Sequence, residues 1–174
     1  MTLNPAPLTP SVDDDPALNR LRDTFQGKHS STHVPLWDQL WRESRTSWDR
    51  GGPSHALHEL LVEHGELVLP SSPQGLGRRP RALVPGCGRG YDALLLSAHG
   101  FDVWGLDSSP TALEMARKTE HDSSGSDMYA SMNGVEEGNI TWVLGDFFDE
   151  TLLSGQGGFD LIYDYTVSPA AVAF

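Results

Sequence analysis

Three glycines at alternate positions, Gly86, Gly88 and Gly90, follow the apolar run Ala82-Leu83-Val84, and an acid, Asp107, closes the next apolar segment. Glycine has no Cβ, so a chain turning through such positions adopts positive φ without strain and lets a ligand approach its backbone. An acid about 20 residues after the first glycine is placed to accept hydrogen bonds from a ribose hydroxyl pair. The chemistry expected is therefore that of a nucleoside-bearing cofactor. A dinucleotide fingerprint GxGxxG would want its third glycine where Tyr91 stands, so the loop reads as GxGxG. With no pyrophosphate to cradle, the expected ligand is S-adenosylmethionine. Two alternatives are a nicotinamide-dependent oxidoreductase, disfavoured by Tyr91, and an α/β turn whose acid merely caps a helix.

Other groups stand where ligand chemistry is possible. Trp37 and Trp41 lie four apart and Trp48 follows, in a segment that also holds Asp38, Glu43, Asp49 and Arg50. Tryptophan is costly to leave in water, so these rings either fill core or cover a flat cationic ligand by stacking and cation–π attraction. Spacing alone favours core. Gly145-Asp146-Phe147-Phe148 ends a strand-like run, where an acid followed by an aromatic can take an adenine amine and cover the ring. The plainer reading is a strand-ending acid with core phenylalanines. In Asp160-Leu161-Ile162-Tyr163-Asp164-Tyr165, period-two alternation puts Tyr163 and Tyr165 on one face and Asp164 on the other. His55, His58 and His64 lie on a helical stretch without a partner at ligand spacing, and His29 and His33 fall in a loop, so no metal is expected. Cys87 lacks a His and acid pair to activate it and reads as a packing residue.

The elements that must position these residues are legible from periodicity. Strand Ala82 to Val84, helix Tyr91 to Ala98, strand Asp102 to Leu106, helix Pro110 to about Glu120, strand Ile140 to Leu144 and strand Phe159 to Tyr165 alternate, which predicts a parallel sheet in the order 3-2-1-4. Ser109 or Ser108 caps the second of those helices, with Pro110 at its first position. Ahead of the glycine turn, helical spacing recurs at Leu18, Leu21 and Phe25, at Val34, Trp37, Leu40 and Trp41, and at Leu57, Leu60, Leu61 and His64 behind the N-cap Ser54. Pro70 to Pro80 and His121 to Gly138 read as loops. The Pro- and Asp-rich residues 1–15 read as a disordered tail, leaving one domain over residues 16–174.

Composition narrows the function classes. Twenty-four acids against 12 bases give a net charge of −12, which argues against nucleic acid or an anionic membrane as partner and favours small molecules. One cysteine forbids an internal disulfide, and no basic start with an apolar run marks a secretory signal, so the cytoplasm is the expected compartment. No run of 18 apolar residues spans a membrane. The strand at Phe159 to Tyr165 would lie at an open edge with little chain after it, which reads as a truncated form and invites self-association through that edge.

The segments Trp37-Asp38-Gln39-Leu40-Trp41, Ser47-Trp48-Asp49-Arg50-Gly51, Leu83 to Asp92, Gly105-Leu106-Asp107, Gly145 to Phe148 and Phe159 to Tyr165 run in one order. In these the chain resembles the thiopurine S-methyltransferase-like superfamily, and within it the thiol and halide methyltransferases of plants and fungi. Val84-Pro85 stands where many other methyltransferases carry an acid, which favours this family. The resemblance implies a Rossmann-like class I fold with an N-terminal helical preface. It shifts the tryptophans from core to cofactor lid, and implies that Trp37, Trp41, Trp48, Gly86, Asp107, Asp146, Phe147 and Tyr165 contact S-adenosylmethionine. The chemistry implied is methyl transfer to a small thiol or halide-type nucleophile. After Tyr165 the chain no longer matches the family's acceptor region, so a catalytically inactive fragment that still binds cofactor is the competing reading.

Overall fold

An unbroken run of buried residues makes the first strand. In the computed structural model, β1 spans Arg81–Pro85 and buries every residue from Ala82 to Pro85, the pattern of a parallel strand covered on both faces. Residues 16–29, 32–68, 77–129, 135–149, 151–155 and 157–165 are described. The tail expected at residues 1–15, most of the Pro70 to Pro80 loop and the segment after Tyr165 lie outside them.

Strands β2 (Asp102–Asp107), β3 (Ile140–Leu144) and β4 (Leu161–Ile162) join β1 in a sheet of order β3-β2-β1-β4, all pairs parallel, matching the order expected from the alternation. The register aligns Pro85 with Leu106 and Asp107 with Leu144, so the loops leaving β1, β2 and β3 emerge at one edge. The expected strand Phe159 to Tyr165 contracts to Leu161–Ile162. It pairs only with β1 among the described residues, and Ile162 is 56% exposed, so nothing on its far side extends the ladder.

Helices α1 (Pro16–Phe25), α2 (His33–Arg42) and α3 (His55–Glu63) form the preface; α4 (Tyr91–Ala98) and α5 (Pro110–Asp122) are the crossovers. His33, expected in a loop, opens α2. The caps follow side-chain chemistry: Leu57 N donates to Ser54 Oγ at 3.4 Å, and Ala112 N donates to Ser109 Oγ at 3.0 Å with Pro110 next to the cap. Helix α4 buries all residues from Ala93 to Ala98, with Leu95 and Leu96 in one core with the strands and with Leu57 and Leu61 of α3. A single core joins Leu57 and Leu61 of α3 to Ala82, Val84, Leu95, Leu96, Phe101 and Val103. Each fully buried leucine there contributes about 1.5–3 kcal/mol. His64, expected on that apolar face, instead caps α3 as an exposed residue. The loop after α5 is tied down: Tyr129 packs against the core, and Ser97 Oγ donates to Gly138 O at 2.8 Å.

Candidate functional site

The glycine turn is a tight reversal from β1 into α4. Gly86, Gly88 and Gly90 take φ of 59°, 53° and 78°, Cys87 N donates to Leu106 O at 3.0 Å, and Gly90 N donates to Cys87 O at 2.8 Å. A Cβ on Gly88 would lie 3.3 Å from the Trp41 ring, and one on Gly90 would collide with the Trp142 ring. Two of the three glycines are therefore accounted for by close tryptophans as well as by left-handed backbone. Gly86, the first in the turn, is exposed.

Asp107 ends β2 beside this turn and is 8% exposed. Its Oδ2 accepts Gly88 N at 2.9 Å and its Oδ1 accepts Ser109 N at 2.9 Å. Burial pushes its pKa up; the backbone N–H groups of Ser109, Gly88 and Ser108 counter this only in part. A carboxylate has about four acceptor positions, so these three donors leave it able to take another.

The tryptophans assemble into one cluster. Trp37 and Trp41 each meet Trp48 edge-on, at centroid distances of 5.1 and 5.6 Å, and Phe25 of α1 packs on Trp37 at 4.5 Å. Trp41 is buried against Gly88, while Trp37 and Trp48 are half-buried. Arg89, within the turn, pairs with Asp49 and stands 5.8 Å over the Trp41 ring. Asp38, one turn before Arg42, accepts Ser109 Oγ at 2.8 Å and Thr111 N at 3.2 Å and pairs with Arg42 at 3.1 Å. Burial raises its pKa, but the donors from Ser109 and Thr111 and the Arg42 charge outweigh it and hold the carboxyl below the ordinary range.

At the end of β3, Gly145 N donates to Asp107 O at 3.0 Å, which sets Asp146 and Phe147 next to the β2 terminus. Asp146 Oδ1 accepts Phe148 N at 3.0 Å, and Phe147 and Phe148 are 37% and 62% exposed, so they are not core phenylalanines. Past β4, the rings of Tyr163 and Tyr165 stack at 6.4 Å, on one side of the chain as alternation expects, and Arg50 lies 5.1 Å over the Tyr165 ring. Arg50 thus connects the segment after Trp48 to the end of β4.

Behind the turn, Asp92 in the first turn of α4 accepts Ser54 N at 2.7 Å, and burial pushes its pKa up. Burial, with the charges of Tyr91 and Asp92, raises Tyr129 to about 12. Burial and then the Asp107 charge push the Cys87 thiol well up, so it stays protonated and unreactive at neutral pH. Among the described residues no group of three His, Cys, Asp or Glu could hold a metal ion.

The structure therefore places Gly86, Asp107, Asp146, Phe147 and Tyr165 after the carboxyl ends of the four strands, where open α/β sheets bind ligands, with Trp41 on the glycine turn and Trp37 and Trp48 packed behind it. Residues 33–172 match the family model described as thiopurine S-methyltransferase. The chain belongs to the thiopurine S-methyltransferase family.

Relatives within this family carry related names. A probable thiol methyltransferase 2 of Arabidopsis thaliana is 33% identical over 86% of the chain and 55% of its own length. A thiocyanate methyltransferase 1 of Brassica oleracea is 36% identical over 75% of the chain and 47% of its own length. The chain thus spans about half the length of the relatives it matches. A solved structure from work on "Conversion of a Disulfide Bond into a Thioacetal Group during Echinomycin Biosynthesis" superposes with a TM-score of 0.57 at 27% identity, over 79% of this chain and 48% of that one.

Three residues that pack around the glycine turn and its neighbours have contacts that residue type alone does not reveal. Asp38 lies within the Trp37 to Trp41 segment, but its bonds to Ser109 and Thr111 at the start of α5 leave no mark on that spacing. Trp142, wedged over Gly90 and Gly105, shows in the sequence only as an aromatic on a strand. Asp92, one residue after Tyr91, reads as an ordinary first-turn acid until Ser54 arrives against it.

Proposed function

We propose that this chain binds S-adenosylmethionine and transfers its methyl group to the sulfur of a small thiol-type acceptor. The observation that carries the reading is Asp107: a buried carboxylate at the carboxyl end of β2, held by the glycine turn through Gly88 N, with acceptor capacity left over. The residues present fit the cofactor. Asp107 would hold the ribose hydroxyls, Gly86 has no side chain to bar the approach, and Asp146 with Phe147 would take the adenine amine and ring. Trp37, Trp41 and Trp48 would exclude water, and Tyr165, with Arg50 over its ring, would bound the end from which the acceptor enters.

When bound, S-adenosylmethionine supplies a methyl group already activated on a sulfonium. The chain's residues would hold an acceptor sulfur in line with that methyl group, so that the new carbon–sulfur bond would form as the bond to the sulfonium breaks and leaves its electron pair there. A preformed thiolate needs no base, so the chain's own task is to align the reactants in a dry pocket. Sulfur is favoured over a halide acceptor because the relatives are named for thiol and thiocyanate methylation, and the structural neighbour comes from work on converting a disulfide into a thioacetal. A cytoplasmic setting, with one free thiol, and self-association through β4, which has one sheet neighbour among the described residues, belong to the same proposal.

The test is calorimetric titration with S-adenosylhomocysteine, followed by assay of methyl transfer to small thiols. Micromolar binding with transfer supports the reading. Binding without transfer would favour the second reading, a cofactor-binding chain lacking turnover.

A further inference from the structure

Asp38 sits on α2 between Trp37 and Trp41, with its side chain 15% exposed, and bonds to the second half of the fold. Its Oδ1 accepts the Ser109 hydroxyl at 2.8 Å and Thr111 N at 3.2 Å. Ser109 is fully buried; its hydroxyl oxygen accepts Ala112 N at 3.0 Å while its own N–H donates to Asp107 Oδ1 at 2.9 Å. Asp107 Oδ2 in turn accepts Gly88 N at 2.9 Å, and Gly88 lies against Trp41, on the same helix as Asp38. The path closes on itself: tryptophan helix, α5 cap, ribose-facing carboxylate, glycine turn, tryptophan helix.

We infer that Asp38 is a positioning residue for the cofactor site, setting the Asp107 carboxylate through Ser109 and so coupling ribose recognition to the docking of the tryptophan helix. The inference rests on the cofactor reading above. A hydroxyl has one proton to give. Asp38 accepts the hydrogen bond that the Ser109 hydroxyl donates, which leaves the Ser109 oxygen facing Ala112 N and holds the start of α5, including the N–H that orients Asp107. Without an acceptor at position 38 the hydroxyl rotor is released, the first turn of α5 loses an anion at its N-terminus, and Asp107 loses its fixed aim.

The decisive measurement compares S-adenosylhomocysteine with its 2′-deoxyribose analogue. In the unmodified chain, removing the hydroxyl should weaken binding roughly tenfold or more, as for a hydrogen bond to a charged group. In Asp38→Ala that ratio should collapse to about threefold or less, whereas Asp38→Asn, whose amide oxygen still accepts from Ser109 and Thr111, should keep it. Ser109→Ala, which breaks the same link but retains the Thr111 contact, should also lower the ratio and decides the matter if Asp38→Ala does not fold. Equal weakening of both ligands in Asp38→Ala and Ser109→Ala, with the ratio intact, would show a purely structural staple and overturn the inference alone. No binding of S-adenosylhomocysteine by the unmodified chain would overturn the cofactor reading and this inference together.

Discussion

The indole of Trp142 lies directly across Gly105, its register partner on the neighbouring strand, and occupies the space a side chain there would need. The same ring reaches Gly90 at the start of α4, and its Nε1 donates to Glu120 at 2.7 Å. Gly90 therefore serves the packing between sheet and helices as well as the turn. Gly105→Ala should lower stability by about 1–3 kcal/mol through overpacking, and most of that cost should vanish in a Trp142→Leu background. Urea unfolding of the two single variants and the double variant measures the difference.

Asp107 is expected to make ligand binding pH-dependent. Burial raises its pKa, so as pH falls it takes up a proton earlier than an ordinary aspartate would. The protonated form gives up part of its acceptor capacity, so affinity for S-adenosylhomocysteine should begin to fall at a pH above the usual aspartate range. Asp107→Asn should weaken binding at neutral pH by at least about tenfold and flatten this acid limb. Calorimetry across pH, with circular dichroism confirming the fold at each point, checks both.

Asp92 predicts a slope of opposite origin in folding stability. Burial raises its folded pKa above the ordinary aspartate value, so between the two values the folded state holds more protons than the unfolded one. Its ionisation therefore costs stability as pH rises through that window, and the full cost persists above it. Asp92→Asn, which keeps an oxygen for Ser54 N, should become more stable relative to the unmodified chain as pH rises through the same window. Denaturation midpoints of both chains along a pH series give the test.

Asp160 fastens β4 to the start of β1. Its carboxylate accepts Arg81 N at 2.7 Å and both terminal nitrogens of Arg78 at 2.7 and 3.2 Å, and the Arg78 bond is the main cause holding its pKa down. This stability is present above the unfolded pKa and is lost as pH falls through the depressed folded value. Asp160→Ala should cost about 1 kcal/mol at neutral pH, modest because Arg78 is half exposed. Hydrogen exchange should show the loss first at Tyr163 N, which donates to Leu83 O beyond β4.

What the sequence by itself determined was local. The bounds of α4 and β3, the caps at Ser54 and Ser109 and the positive φ of the glycine turn all follow from a few adjacent residues, because periodicity and capping act over one or two turns. The 3-2-1-4 order also followed, since right-handed crossovers leave few arrangements for alternating strands and helices. Only the tertiary structure decided that Gly90 and Gly105 make room for Trp142, that Phe147 and Phe148 face outward, and that β4 pairs over two residues rather than seven. It alone joined Asp38 to Ser109 across 71 positions. Such links depend on which side chains the packed layers bring within hydrogen-bond or van der Waals reach, and residue type carries no record of a partner that distant.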